Sequence, residues 1–348
     1  MIKRLLSTGT TTILLACGAT GAAFAEGSRH EPLVVAASNT ATNALMVFSS
    51  TGALIRQIPT QGQGGVSGNA GGIAAAGGRV AVVNFASSNV SIFARDDDGR
   101  MFRVERVVPV GGNPVSVAFG ADHLYVLTTT HVESHRMGPG GVVTAADGVV
   151  PLVHADGSAA QVGVIKGQLI LTEKSNAIES VVLTADGAVS GMAALVSNIP
   201  ANVNAPFGLA TRGNEAYVTI AHADEISLVR NDAVLTVTGS GTQHAPCWVA
   251  LDGPFLFSSN SPSQSVSRYA VYGQKVVQDA AVIAQFVGNP TDITYRHGLA
   301  AVIDGSATNS RVSVFKVDED GNFTLQGMAT VNSPSTNGVA IVEAADRD

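Results

Sequence analysis

Residues 111–129, GGNPVSVAFGADHLYVLTT, set two apolar runs around a short polar break. Asn113-Pro114 opens the first run, Gly120-Ala121-Asp122-His123 interrupts it, and Leu124-Tyr125-Val126-Leu127 centres the second. Two such runs joined by four small or polar residues predict a β-hairpin. The pattern recurs at 204–222, 243–260 and 288–304, and more weakly at 69–84 and 158–176. Aligning Gly72, Pro114, Ala160, Pro206, Pro246 and Pro290 gives intervals of 42, 46, 46, 40 and 44 residues. Behind each hairpin lie a polar loop and an alternating run, such as NVSIF at 89–93 or RVSVF at 311–315. A turn follows, Asp97-Asp98-Gly99, Ala185-Asp186-Gly187 or Asp320-Gly321-Asn322, and then a ragged fourth apolar stretch. Asp-Gly favours the positive φ that tight hairpins require.

A period in the forties with four short strands per unit is the signature of a propeller blade. The two ends complete the count. Residues 33–58 supply three strands without a first, and 336–344 supply a first strand with nothing after it. Joined, they make a composite blade that closes the ring and leaves no exposed edge. With six whole blades, the expected fold is all-β, a seven-bladed β-propeller.

Composition adds a destination. Lys3 and Arg4, a mostly apolar or small stretch at 11–22, and Ala23-Phe24-Ala25 read as a secretory signal over 1–25. The propeller then occupies 26–348 as one domain, and the protein is expected to be periplasmic or secreted. Leu14-Leu15-Ala16-Cys17 offers a rival, a lipoprotein site with lipid on Cys17. Removing Lys3 and Arg4 takes the formal charge from −7 to −9. With no basic run or basic–aromatic stripe, nucleic acid and anionic membrane surfaces are not expected partners. No stretch reaches the roughly 20 apolar residues of a transmembrane helix. Past the signal only Cys247 remains, so no internal disulfide is expected and stability must come from burial. The chain is expected to be a monomer without a cofactor.

In a propeller, the loops between blades share a face with the loops between second and third strands, and the central channel opens there. Entering first strands on that face are Asn69, Asn113, Asn204, His244, Asn289 and Asn337. Leaving second strands are Asn39, Asn84, Thr129, His131, Glu173, Lys174, His222, Asn260 and Asp304. Asn before a strand also shapes turns by bonding local backbone, a structural use that competes with ligand binding. Residues that break the repeat carry more information. His244 stands where other blades carry Asn, and Trp248, the sole tryptophan, stands where Ser116, Gly208 and Asp292 stand. His244 or His222 could act as a general base, with Glu173 or Asp304 orienting it and Lys174 steadying an oxyanion. Ligand contacts are expected from Asn84, Asn113, Lys174, Asn204, Trp248, Asn260, Asn289 and Asn337.

Other candidates carry less. His131 and His135 lie in a strand-type segment, where four residues span roughly 13 Å, too far to chelate one ion, so no metal site is expected. The acidic turns at 95–99 and 318–321 lack the alternate ligands and closing Glu of a calcium loop. Cys247, three residues from His244 along a strand, points to the opposite face and reads as a buried hydrophobe. The Gly-rich stretch at 62–78 has no phosphate-loop pattern. Arg296-His297 falls in a turn on the far face.

The unit GNP…V…HLYV, followed by N…VSVF…DG, resembles the lactonase-type and YVTN-type seven-bladed propellers over nearly all of 26–348. Members include 6-phosphogluconolactonases and carboxymuconate-lactonising enzymes. The resemblance implies ring opening or closing of a lactone at the channel mouth by His, Arg and Glu side chains. His222, His244 and Glu173 could fill such roles, but no Arg occupies a mouth position and Lys174 is the lone cation. A phosphorylated sugar acid wants more positive charge, so a neutral lactone is the expected substrate. The alternative is a non-catalytic binding or scaffold propeller, since amides hydrogen-bond without titrating. It would recognise a small molecule or a protein.

Overall fold

The computed structural model describes residues 31–66, 71–95, 102–200 and 205–343. Three strands open the described chain: β1 (Leu33–Ala37), β2 (Ala44–Phe48) and β3 (Leu54–Pro59). Blade one is β4 (Ile73–Ala76), β5 (Arg79–Asn84), β6 (Asn89–Arg95) and β7 (Phe102–Pro109). Blade two is β8 (Pro114–Gly120), β9 (His123–Thr128) and β10 (His131–Gly138), with its outer strand split into β11 (Gly141–Val142) and β12 (Gly148–Pro151). Blade three is β13 (Ala159–Ile165), β14 (Gln168–Glu173), β15 (Ala177–Leu183) and β16 (Val189–Leu195). Blade four is β17 (Pro206–Arg212), β18 (Glu215–Ile220), β19 (Glu225–Arg230) and β20 (Ala233–Gly239). Blade five is β21 (Pro246–Asp252), β22 (Phe255–Asn260), β23 (Ser265–Tyr272) and β24 (Lys275–Gln285). Blade six is β25 (Asn289–Arg296), β26 (Leu299–Gly305), β27 (Ser310–Val317) and β28 (Phe323–Val331). Finally β29 (Asn337–Val342) pairs with β1, giving the order β29-β1-β2-β3. The protein is a seven-bladed β-propeller closed by a composite blade, as the repeat predicts.

The register corrects the phase of the repeat. Pro114, Pro206, Pro246 and Pro290 lie opposite Thr128, Ile220, Asn260 and Asp304, and each precedes a break in register. In blade three that place belongs to Ala159, opposite Glu173, and not to Ala160. Gly72 accepts the Val83 N–H, two steps further along, where Ser116 lies opposite Leu127. The blade count is unaffected. Proline fits the first position because it opens a strand and has no N–H to leave unpaired.

Second strands are buried on both faces because each sheet is sandwiched between neighbouring blades; all six residues of β9 are buried. Fourth strands face solvent, and β3 is almost wholly exposed. That difference turns one alternating code into continuous apolar runs inside and ragged ones outside. The expected glycine turns hold where described: Gly187 (φ +96) donates to Thr184 O and Gly321 (φ +76) to Asp318 O, both at 3.0 Å. Asp97-Asp98-Gly99 lies outside the described residues. Among the described residues, no helix is long and apolar enough to cross a membrane.

Candidate functional site

First strands begin, and second strands end, on the face that also carries the inter-blade loops. The expected mouth residues therefore share one face, except Asn69 and Asn204, which lie outside the described residues. What each side chain does there differs sharply.

His244 is exposed, and its Nδ1 lies 2.9 Å from Asp224 Oδ2. Asp224 Oδ1 accepts the Ala245 N–H at 2.7 Å, which fixes the carboxylate. Burial alone would raise the Asp224 carboxyl, but the hydrogen bonds from His244 and Ala245, with the nearby charges of His244 and His222, hold it below its usual range. His222 is exposed in the short 3₁₀ turn Ala221–Ala223, which Asp224 ends with φ +56. Both expected bases thus gather around Asp224, a carboxylate outside the expected set.

The carboxylates expected to orient them sit elsewhere. Asp304 is buried, pairs with Arg311 and accepts the Gly288 N–H at 3.0 Å. Glu173 is buried in another blade, accepts from Ser158 Oγ at 3.1 Å, and keeps Oε1 without a partner among the described residues. Burial and the negative charge of Glu179 push the Glu173 carboxyl up to about 8. The register explains the clash. In blade one Asn84 donates to Ser91 Oγ at 2.8 Å, and in blade five Asn260 donates to Ser267 Oγ at 2.8 Å. Blade three puts Glu173 and Glu179 at those two positions. Glu179 already accepts the N–H groups of Val153 and His154, each at 2.9 Å.

Asn84 and Asn260 are fully buried: the Asn260 amide bonds within its own blade, and that of Asn84 also accepts from Asn43 and Thr60 of the composite blade. Asn113 donates to Phe85 O at 2.8 Å, and the exposed Asn289 accepts from Gln264 at 3.3 Å. Lys174 is half-buried with its ammonium 6.0 Å from the centre of the Phe207 ring, and burial lowers its pKa. His131 and His135 both bond the carboxylate of Glu133, which stands between them on β10, at 2.8 and 3.2 Å. Burial pushes the Cys247 thiol up to about 12, too high for a nucleophile at neutral pH.

The channel itself is organised by the strand that lines it. In the six whole blades the residue just past the first position takes one height on the channel wall: Gly72, Ser116, Gln161, Gly208, Trp248 and Asp292. Several reach the next blade. Ser116 Oγ accepts from Val162 N at 3.2 Å, Gln161 Oε1 from Leu209 N at 2.7 Å, and Asp292 Oδ2 from Val339 N at 3.0 Å. Trp248 has no acceptor to offer, and Asp292 Oδ1 instead bonds the Ile293 N–H at 2.8 Å. Trp248 packs edge-on to Phe207, 5.3 Å between ring centres, and its Nε1 is buried without a partner among the described residues. The fit behind it is close: a Cβ on Gly208 would lie 2.4 Å from Cys247 O and 2.8 Å from Trp248 Cα.

Trp248 lines two cavities. One, of about 280 Å³, lies on the mouth side among Asn39, Val66, Thr291, Ser335, Thr336 and Asn337. The other, of about 480 Å³, runs along the inner strands from Gln161 and Asp292 to Arg296 and His297 on the far face. The channel wall unites Trp248, expected from the sequence, with Asp292, which was not expected to bind ligand. The signal for Asp292 was present: it occupies the position whose departure from the repeat singled out Trp248.

A scan against protein-family models finds no match, and a search of curated proteins finds none. Solved structures do match. A functionally unknown protein from Desulfotomaculum acetoxidans is 12% identical with a TM-score of 0.65, over 90% of this chain and 99% of that one. A candidate 6-phosphogluconolactonase from Bacteroides fragilis is 14% identical with a TM-score of 0.63, over 90% and 98%. Virginiamycin B lyase from Staphylococcus aureus is 13% identical with a TM-score of 0.55, over 79% and 92%. At such identities the likeness establishes the fold and nothing finer.

Proposed function

We propose that this chain is an exported propeller that binds a small, uncharged, oxygen-rich molecule at the channel mouth, a neutral lactone being the foremost class. The observation that carries it is the wall of the mouth cavity, which among the described residues contains amide, hydroxyl and indole groups and no ionisable side chain. Such groups recognise carbonyl and hydroxyl oxygens by hydrogen bonding and supply no cation to neutralise a phosphate or carboxylate. The neighbours named as 6-phosphogluconolactonases support a lactone ring, though not its charge, and the residues at 1–25 support export.

Trp248, the sole tryptophan, is a built-in reporter. Titrating the protein with γ-butyrolactones, aldonolactones and acyl-homoserine lactones is expected to shift its emission saturably with at least one of them. Thr291→Val should weaken that binding about fivefold, the worth of roughly one neutral hydrogen bond. A flat response across the panel overturns the reading.

Hydrolysis is a second reading, favoured by the His244–Asp224 pair, which leaves His244 Nε2 available as a base for water. Its sign is acid release that accompanies binding and disappears in His244→Ala. Release that survives this substitution removes His244 from the chemistry.

A further inference from the structure

The larger cavity holds a second, chemically different set of groups. Asp292 and Trp248 occupy equivalent positions on neighbouring inner strands, β25 and β21, so they stand side by side at one height. Tyr295, three residues further along β25, lines the same space from the opposite face of the strand, its ring edge-on to Phe257. Asp292 is almost completely buried, and among the described residues no Lys, Arg or His pairs with it. Each of its oxygens accepts a single main-chain N–H, leaving further lone pairs. A buried carboxylate without a counter-ion is costly and rare. Here it shares a cavity wall with Trp248.

We propose that the channel below Trp248 is a binding site for a small organic ammonium ion, held by the Asp292 carboxylate with the Trp248 ring on the same cavity wall. A carboxylate satisfies the charge, and aromatic rings attract ammonium through their quadrupoles, tryptophan most strongly. A volume of about 480 Å³ lies within the range of small-ligand sites. The far end does not compete for the role. Arg296 and His297 both pair with Glu343, and Asp252 accepts the His297 N–H at 2.6 Å. Among the described residues, Asp252, Tyr295, Arg296 and His297 are the other ionisable groups on the channel wall.

Burial lifts the Asp292 carboxyl to about 7, even with two main-chain N–H groups opposing it. An ammonium ion selects the ionised form, so its affinity rises with pH. The site is independent of the mouth ligand, and the two are separable by charge. Titration with tetramethylammonium chloride and with methylammonium chloride, at ionic strength held constant by sodium chloride, is expected to change Trp248 emission saturably for at least one salt. Affinity at pH 8.5 should exceed that at pH 5.5 about thirtyfold, and Asp292→Asn should abolish the response. Sodium chloride alone should do nothing, and neutral lactones should keep their affinity across the same pH range. No saturable change with either ammonium salt, an equal response to sodium, or an affinity unchanged by pH overturns the site. The last criterion needs only the unaltered protein, so it stands even if Asp292→Asn folds poorly.

Discussion

A chain ending at Thr336 is expected to lose cooperative folding, although it retains six complete four-stranded blades. The missing strand, β29, is buried at all six positions and pairs with β1 along its length. Burial of Val339, Ile341 and Val342 stabilises the fold by about 4.5–9 kcal/mol, at roughly 1.5–3 kcal/mol per side chain. That is the scale of a whole domain's stability, about 5–15 kcal/mol. The loss does not end there. Val339 N–H is one of the two donors that hold Asp292, so blade six also loses a buried contact, and β1 becomes an open edge. Circular dichroism during thermal unfolding decides the matter. The shortened chain should show a broad, weak transition, and adding a peptide of residues 336–348 should restore a sharp one. A shortened chain that melts within a few degrees of the full protein would mean that the six blades close without the composite one.

Glu173→Gln is expected to stabilise the protein at alkaline pH and to change little at pH 5. The Glu173 carboxyl is raised from 4.5 to about 8, so the folded protein holds a proton there that the unfolded chain has released. Stability from this group is complete below about pH 4.5 and is lost as pH rises through about 8. At ~1.4 kcal/mol per unit the full shift approaches 5 kcal/mol, and relaxation around the ionised group reduces this to about 2–4 kcal/mol. Glutamine keeps the shape, cannot ionise, and restores the amide that Asn84 and Asn260 supply in their own blades. The melting temperature of Glu173→Gln should exceed that of the parent by about 4–8 °C at pH 9. The two curves should converge near pH 5. A parent protein as stable at pH 9 as at pH 5, with no gain from Gln, would show that Glu173 ionises in place at little cost. For this protein the mouth carboxylate is then a structural liability at high pH and not the orienting partner of a catalytic histidine.

The fold was legible because its code is local. Hairpin turns, period-two runs and the prolines that open first strands each act within a few residues. Their recurrence in the forties, with the split strands at 33–58 and 336–344, leaves one way to close the ring. The phase slipped by one residue at Ala160 and by two at Gly72, because both blades lack the proline that marks the first position elsewhere. Trp248 was legible as a departure from the repeat, and the same comparison contained Asp292. The positions at the ends of the second strands were also placed on the correct face.

Their use was not legible. Asn84 and Asn260 look identical in sequence to ligand-binding amides, yet each turns inward to a serine on the next strand of its own blade. His244 takes its carboxylate from Asp224, 20 residues earlier and on the preceding blade, a pairing fixed by how two loops approach across a blade boundary. Asp304 found Arg311 across a strand pair. Glu173 met Glu179 because the strand register sets them where an amide and a hydroxyl would otherwise meet.

The sequence by itself determined the number of blades, the closing strand, the face on which loops gather, and Trp248 as the irregular residue of the channel. These follow from turn chemistry and alternation, which the backbone reads over short distances. Only the tertiary structure decided which side chains are left to act. Curving seven sheets around one axis brings inner strands together at one height, joins Trp248 to Asp292, and closes most of the mouth polar groups into internal hydrogen bonds. That choice depends on distances of a few ångströms between blades, which no repeat in the chain records.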